Sequence, residues 1–131
     1  MTPTRVFLLL SALVWLPYGL YCLADPGSLA ATAGIVAQSA TATTELRAMY
    51  GGLQTALGVL ALVGAFAGGL RRPALLAIAF LTAGLGSTRL LGVVVDGGLS
   101  GYTAAGLMFE VLSASLATWL LRNSSLPATA R

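Results

Sequence analysis

The chain has 131 residues, of which 57% are hydrophobic and only 8% are charged. A soluble domain carries about 25% charged residues, so this chain cannot cover a water-facing surface. The net charge of +3 comes from arginine alone, and the arginines are scattered, which does not predict nucleic-acid binding. Histidine is absent and Cys22 is the single cysteine. These absences exclude zinc sites built from cysteine and histidine, Ser-His-Asp triads and internal disulfides, and we expect no metal and no cofactor.

Four apolar segments follow one another, and each is close to the ~20 residues that a helix needs to cross a bilayer. They cover residues 5–24, 45–69, 73–95 and 102–121. Arg5 precedes the first segment in the manner of a signal peptide, but the apolar run is long for a signal core, so we expect a retained helix. Because four spans use nearly the whole length, the sequence predicts a single all-α domain, an integral membrane four-helix bundle.

The connection between the first two spans is the longest. A turn is expected at residues 25–28, followed by a short helix within residues 29–36 that lies at the membrane interface. Thr43 or Thr44 is expected to cap the second span, with Glu45 in its first turn, where the helix dipole favours an anion.

The other connections are short. The run Arg71-Arg72-Pro73 predicts a tight turn with the proline at the first helical position of the third span. A second turn is expected at residues 96–98, which read Asp-Gly-Gly. Residues 123–131 are polar and contain a proline, so they predict a frayed tail.

The arginines predict the orientation, because cytoplasmic loops of membrane proteins carry an excess of positive charge. An N-terminus in the cytoplasm leaves only Arg47 outside and Arg89 within the membrane. All other arginines then lie inside: Arg5, Arg71, Arg72, Arg122 and Arg131. We therefore expect a multi-pass protein of the bacterial inner membrane with both termini in the cytoplasm.

Arg89 and Glu110 each lie well inside an apolar span, whereas Arg5, Glu45 and Arg47 lie near span ends. An ionised side chain at the bilayer centre costs at least ~2.5–3.5 kcal/mol on insertion scales, so it is rarely present without a partner or a function. The helix rise places Gln54, Arg89 and Glu110 at one level, roughly 9–13 Å below the outer boundary. Three different spans therefore supply a polar group at a shared depth.

Helical periodicity groups small residues on the faces that carry these polar groups. Small residues indicate helix contact in membranes, whereas large apolar residues on the opposite face indicate lipid. Phe109 and Leu120 fall on the face of the fourth span opposite Glu110, so we expect them to face lipid. The small residues on the inward faces are Gly51, Gly58, Ala61, Ala65, Gly86, Gly106, Ser113 and Ala117.

Two interpretations of these polar residues stay open. Arg89 could hold a ligand carboxylate or phosphate through its planar fork, or it could form a structural ion pair with Glu110. The aromatic residues Trp15 and Tyr102 are most simply interface anchors. The candidate ligand-binding residues are Arg89, Glu110, Gln54, Tyr50 and Tyr18, with a rim of Glu45, Arg47 and Asp96. For the rim residues, an ordinary solvated helix start or turn is the competing interpretation.

The chain resembles the uncharacterised bacterial family called domain of unknown function 4345. The residues that carry the resemblance are the stretch ELRAMYGGLQ at positions 45–54, Arg89 followed by the Asp-Gly pair at 96–97, and the late Glu110. The resemblance covers nearly the whole chain and implies a small four-span membrane protein, without implying an activity. The small multidrug resistance transporters also have four short spans, but their working glutamate lies in the first span, which here contains no acid.

Three functions compete at this level. The bundle could bind, and in a stronger form transport, a small amphipathic or anionic molecule such as a lipid or a lipophilic metabolite. It could instead be a structural subunit of a homo-oligomer or of a larger membrane complex. The third alternative is an isomerase or hydrolase of a lipophilic substrate, with Glu110 as the acid or base and Arg89 stabilising negative charge.

Overall fold

A computed structural model of the protein describes residues 1–123. Within these residues it consists of helices joined by irregular connections, with no strand. Four helical stretches are long and apolar enough to cross a membrane: Pro3–Ala24, Ala40–Phe66, Gly68–Asp96 and Gly101–Asn123. The expected all-α membrane bundle with four spans is therefore confirmed. Arg131 and the expected frayed tail beyond residue 123 lie outside the described residues.

The first connection contains the expected short helix, although it is shorter than the sequence indicates. Helix α1 covers Pro3–Ala24, a 3-10 turn covers Pro26–Ser28, and helix α2 covers only Leu29–Ala33. Helix α2 ends because Gly34 adopts a left-handed conformation with φ of 71°.

The second span begins earlier than predicted, and the expected threonine cap is wrong. Helix α3 covers Ala40–Leu46, and its cap is Ser39, whose hydroxyl accepts a hydrogen bond from the Ala42 N–H at 3.1 Å. The hydroxyls of Thr43 and Thr44 instead donate to backbone carbonyls one turn earlier within the helix. Ser39 is the N-cap because its backbone is extended and its hydroxyl reaches forward to the Ala42 N–H.

The second span continues through a π-helical segment, Arg47–Gly52, into helix α4, Leu53–Phe66. The N–H of Leu53 donates to the carbonyl of Ala48, five residues earlier, which is the π-helical spacing. Such wide turns are rare and are often found at functional sites. This one falls on the RAMYGG part of the stretch that carries the family resemblance.

Helix α5 covers Arg71–Asp96 and follows a 3-10 turn at Gly68–Leu70, and helix α6 covers Gly101–Asn123. Helix α5 therefore starts two residues before Pro73, which had been expected to be its first residue. Its end matches the expected turn, because Gly97 adopts a left-handed conformation with φ of 68° and donates to the Val93 carbonyl.

Helix α1 packs most closely on the π-helical segment and α4, and glycines make this contact possible. A Cβ atom placed on Gly58 would lie 2.7 Å from the Leu16 nitrogen, and one on Gly51 would lie 2.7 Å from the Leu23 Cα. Helices α5 and α6 form the second close pair. The bundle is therefore built from two helix pairs.

The two pairs meet in a close-packed core at the end of the bundle that contains the α1 N-terminus and the α4–α5 turn. Leu120 belongs to this core, and its expected exposure to lipid is wrong, because it follows the buried Ser113 and Ala117 at helical spacing. The surface of the bundle is rich in exposed large apolar side chains, as a bilayer requires. The core residues are Leu8, Ala12, Trp15, Leu57, Ala61, Ala65, Ala74, Leu75, Ile78, Ala79, Ala117 and Leu120.

Candidate ligand-binding pocket

A pocket of about 560 Å³ lies between the two helix pairs, in the half of the bundle that contains Ala24, Ala40, Asp96 and Gly101. All four spans contribute to its wall. Its volume falls within the range of about 300–1,000 Å³ that is usual for small-molecule sites. The lining residues are Val14, Trp15, Tyr18, Met49, Tyr50, Leu53, Gln54, Leu57, Leu81, Leu85, Arg89, Tyr102, Ala105, Gly106, Phe109 and Glu110.

Arg89 and Glu110 form a two-point ion pair at the wall of this pocket. The Nε of Arg89 donates to Oε2 at 3.0 Å and to Oε1 at 3.2 Å, and Nη2 donates to Oε1 at 2.7 Å. The Glu110 side chain is 4% exposed, whereas that of Arg89 is 26% exposed. The carboxylate is thus enclosed, and the guanidinium is the partner that reaches the open space.

Two glycines leave room for the ion pair, one on each helix of the α5–α6 pair. A Cβ on Gly106 would lie 3.1 Å from the Arg89 Cζ, and a Cβ on Gly86 would lie 3.4 Å from the Glu110 Cβ. Gly106 lies one turn before Glu110, and Gly86 lies one turn before Arg89. Each helix therefore carries a glycine at the position where the charged side chain of the other helix packs against it.

Two tyrosines in the pocket wall connect the helix pairs near the ion pair. The hydroxyls of Tyr18 on α1 and Tyr102 on α6 lie 2.9 Å apart and share a hydrogen bond. The Arg89 Cζ lies 5.9 Å from the centre of the Tyr102 ring, within the range of cation–π attraction. Tyr102 was expected only as an interface anchor, and it is a member of the pocket.

The rest of the wall is largely apolar and contains Trp15, expected most simply as an interface anchor, and Phe109, expected to face lipid. The rings of Trp15 and Phe109 meet edge to face, with centroids 5.5 Å apart at an angle of 65°. Phe109 was expected to face lipid, but it is half-buried because the Trp15 ring packs against it from α1. The helical spacing of the sequence had already placed Trp15 on the same stripe of α1 as Tyr18.

The open sides of the pocket are apolar. Six lining residues are exposed, and none of them carries a polar side chain: Val14, Met49, Leu53, Leu81, Leu85 and Ala105. In a bilayer, apolar exposure of this kind faces hydrocarbon rather than water. Access from within the membrane is therefore compatible with the lining.

The structure brings together five of the eight predicted site residues, namely Tyr18, Tyr50, Gln54, Arg89 and Glu110. The expected rim of Glu45, Arg47 and Asp96 does not line the pocket, and all three residues are exposed. Arg47 instead donates from Nη1 to the Leu23 carbonyl at 2.5 Å. A cation bonded to the last carbonyls of a helix stabilises its negative end. Arg47 therefore stabilises the C-terminal end of α1 rather than contributing to the pocket.

Several hydrogen-bond donors in the pocket have no partner among the described residues. The Nη1 of Arg89 donates no hydrogen bond, because the ion pair uses Nε and Nη2. The side chains of Tyr50 and Gln54 also make no hydrogen bond within that part of the chain. The pocket thus combines an apolar wall with a small group of available donors.

The model of the family described as domain of unknown function (DUF4345) matches residues 3–121 of this chain. The chain belongs to this family. Comparison with curated proteins and with solved structures gives no match.

The stretch that carried the resemblance to DUF4345 has a defined place in the fold. Residues 45–54 begin at the exposed Glu45, pass through the whole π-helical segment and end at Gln54 in the pocket. Within this stretch, Gly51 contacts α1 while Tyr50 lines the pocket. The π-helical turn therefore serves packing and the pocket wall together.

Proposed function

We propose that this DUF4345 protein binds a small amphipathic molecule in the pocket between its two helix pairs. The observation that carries the proposal is an apolar pocket of about 560 Å³ whose wall contains the Arg89–Glu110 pair. A purely structural ion pair needs no adjoining space and is usually closed over by packing. Here the guanidinium borders an open volume and keeps Nη1 available.

The two ends of the pocket suit the two ends of such a ligand. Leu53, Leu57 and Leu85 offer an apolar surface, which an alkyl or ring system would cover. Tyr50, Gln54 and Arg89 offer hydrogen bonds at the level where the spans supply their polar groups. A few polar groups converging in an apolar cavity are typical of small-molecule sites.

The proposed location is the bacterial inner membrane with the pocket in the outer leaflet. The helix ends support this orientation, since Arg5, Arg71, Arg72 and Arg122 lie at one end of the bundle and Arg47 at the other. Positively charged ends favour the cytoplasmic side. Labelling of single cysteines at Thr2 and Ser100 in a Cys22→Ala background tests this, because only the Ser100→Cys variant should react from the periplasm.

The two tryptophans allow a direct binding test. Trp15 lines the pocket, whereas Trp119 is exposed on the outer surface of α6. In the Trp119→Phe variant, the remaining tryptophan fluorescence comes from Trp15 and reports on the pocket. In the matched control Trp15→Phe, it comes from Trp119 and reports on the bulk membrane. In lipid nanodiscs, a brominated long-chain alcohol should quench Trp15 with a saturating curve and Trp119 in proportion to its mole fraction.

A pocket-filling variant completes this test. Ala105 lines the pocket and is exposed, so Ala105→Phe in the Trp119→Phe background should remove the saturating phase without preventing folding. Equal, non-saturating quenching of both tryptophans in the native pocket would contradict binding.

Transport is the stronger form of the proposal. It requires the bound molecule to reach the opposite leaflet, so proteoliposomes should move a fluorescent amphiphile between leaflets faster than protein-free vesicles. The Ala105→Phe variant should lose this acceleration. Binding without acceleration would restrict the function to binding.

A second candidate function is assembly with another membrane helix, and one surface of α5 favours it. Gly84 is exposed with no atom near the position of an added Cβ, and Ser87 and Thr88 lie beside it. Both hydroxyls donate to the Gly84 carbonyl, which leaves a small, internally satisfied face. Small residues of this kind allow helices to approach closely in membranes.

The assembly candidate is tested by the size of the purified particle. Gly84→Leu should dissociate a dimer or a complex, whereas Ala104→Leu, on the exposed face of α6, should leave it intact. A monomer that is unchanged by either substitution would exclude assembly through this face.

The enzymatic alternative receives less support from the geometry. Both carboxylate oxygens of Glu110 accept hydrogen bonds from Arg89, so an acid or base role would require the pair to open. Glu110 is also the more enclosed partner, which places its oxygens behind the guanidinium.

A further inference from the structure

We propose that the pocket selects an uncharged lipophilic molecule that carries a hydrogen-bond-accepting oxygen at one end, and that it discriminates against anionic amphiphiles. This inference rests on the proposed binding function and names the chemical class of its ligand. An isolated arginine in an apolar pocket would favour the opposite class. In this pocket, the positive charge of Arg89 is already paired with the carboxylate of Glu110.

The ion pair makes the polar end of the pocket electrically neutral. Glu110 contacts Arg89 through both carboxylate oxygens, at 2.7–3.2 Å, and is the only acidic residue in the lining. An anionic head that approached Arg89 would therefore also approach a carboxylate in a medium of low dielectric constant, where repulsion is strong. The guanidinium attraction and the carboxylate repulsion would largely cancel.

Displacement of Glu110 by an anionic ligand is also unfavourable. The carboxylate is almost completely enclosed, and Gly86 lies directly against its Cβ. Among the described residues, no other cation lines the pocket, so a displaced carboxylate would remain buried without a partner there. The ligand must also leave its own hydration shell, and a full charge loses far more on desolvation than a carbonyl or hydroxyl does.

The available polar groups fit an uncharged oxygen. The Nη1 of Arg89 and the hydroxyl of Tyr50 can donate, and the Gln54 amide can donate or accept. A ketone, ester, ether or alcohol oxygen accepts such bonds without bringing a net charge. The exposed apolar edge of the pocket, which includes Leu53 and Leu85, then suits entry from the hydrocarbon, where an uncharged lipophile is already concentrated.

The test compares two probes with the same chain and different heads, a brominated long-chain alcohol and the matching brominated alkyl sulfate. Each is titrated in nanodiscs at equal mole fraction against the Trp119→Phe protein, and the saturating quenching of Trp15 is measured. We expect the alcohol to bind at least about tenfold more tightly than the sulfate. Equal or tighter binding of the sulfate would overturn the inference while leaving binding itself established.

Saturating quenching by neither probe would overturn the proposed binding function and this inference with it. A charge variant sharpens the result, because Glu110→Gln leaves the guanidinium without its carboxylate. This variant should bind the sulfate more tightly than the alcohol, reversing the native preference. The matched control Arg89→Gln/Glu110→Gln carries neither charge and should again prefer the alcohol. An unchanged preference in a folded Glu110→Gln protein would contradict the role given to the ion pair.

Discussion

The two halves of this bundle are built from the same four spans but are packed by different rules. The half near the α4–α5 turn is closed, and its core of alanines and leucines includes side chains with no exposure, such as Leu8, Ala61 and Ile78. The other half keeps a pocket of about 560 Å³ and most of the polar side chains. We refer to them below as the closed half and the pocket half.

Residue size explains much of this difference. In the closed half, small residues let the pairs meet, as where a Cβ on Gly64 would lie 2.8 Å from the Ala74 Cβ. In the pocket half, Tyr18 and Tyr102 bridge the pairs through a hydrogen bond between their hydroxyls at the ends of long side chains. In a bilayer, where lipid competes equally for apolar surface, such close backbone approach is a main source of helix association. The closed half therefore provides stability, and the pocket half is free to provide a site.

The largest expected effect comes from removing one partner of the ion pair in the pocket half. Glu110→Ala leaves an uncompensated guanidinium, so the free energy of unfolding should fall by about 3 kcal/mol. Replacing both partners, as in Arg89→Met/Glu110→Leu, should restore stability to within about 1 kcal/mol of the native protein. Unfolding in mixed micelles followed by circular dichroism measures both. Equal losses in the single and double variants would indicate that the pair is needed for packing rather than for charge balance.

The next effect compares one substitution in the two halves. Ala61 is fully buried in the closed half, so Ala61→Leu should overpack it and lower the free energy of unfolding by about 2 kcal/mol. Ala105 lines the pocket and is exposed, so Ala105→Leu should change stability by about 0.5 kcal/mol or less. The same unfolding assay compares them. Similar losses at both positions would contradict the division into a closed half and a pocket half.

Glycines provide a contrast of opposite sign. Gly58→Ala would place a Cβ 2.7 Å from the Leu16 nitrogen, so α1 and α4 must separate, and we expect a loss of about 1–2 kcal/mol. Gly84 has open space around it, so Gly84→Ala should gain about 0.5–1 kcal/mol through better helix propensity. The measurement is the free energy of unfolding of each variant in monomeric form. A loss of stability at Gly84 as well, in the monomer, would contradict the open surroundings of this residue.

The smallest effect concerns the hydrogen bond that connects the pairs across the pocket. Tyr18→Phe and Tyr102→Phe should each lower the free energy of unfolding by about 1 kcal/mol. Because both remove the same bond, the double variant should lose little more than either single variant. Full additivity in this double-mutant cycle would show that the two hydroxyls act independently.

Part of the site could be predicted from the sequence because membrane depth is a local property. The rise of each helix places Gln54, Arg89 and Glu110 at one level, and all three line one pocket. Helical spacing likewise identified the inward Gly58 and Ala61. The predicted rim does not line the pocket for a different reason. Depth alone does not tell whether the Arg47 side chain faces the pocket or the C-terminal end of α1.

The sequence by itself determined that four helices cross a membrane and that their polar groups share a height, because apolar length and helical rise act within each segment. Only the tertiary structure decided that the helices form two pairs, that an extra residue is accommodated in the turn at Arg47–Gly52, and that Trp15 closes over Phe109. These features depend on which surfaces fit together at van der Waals distance. Composition and periodicity indicate which faces turn inward, but they do not tell which of those faces fit together.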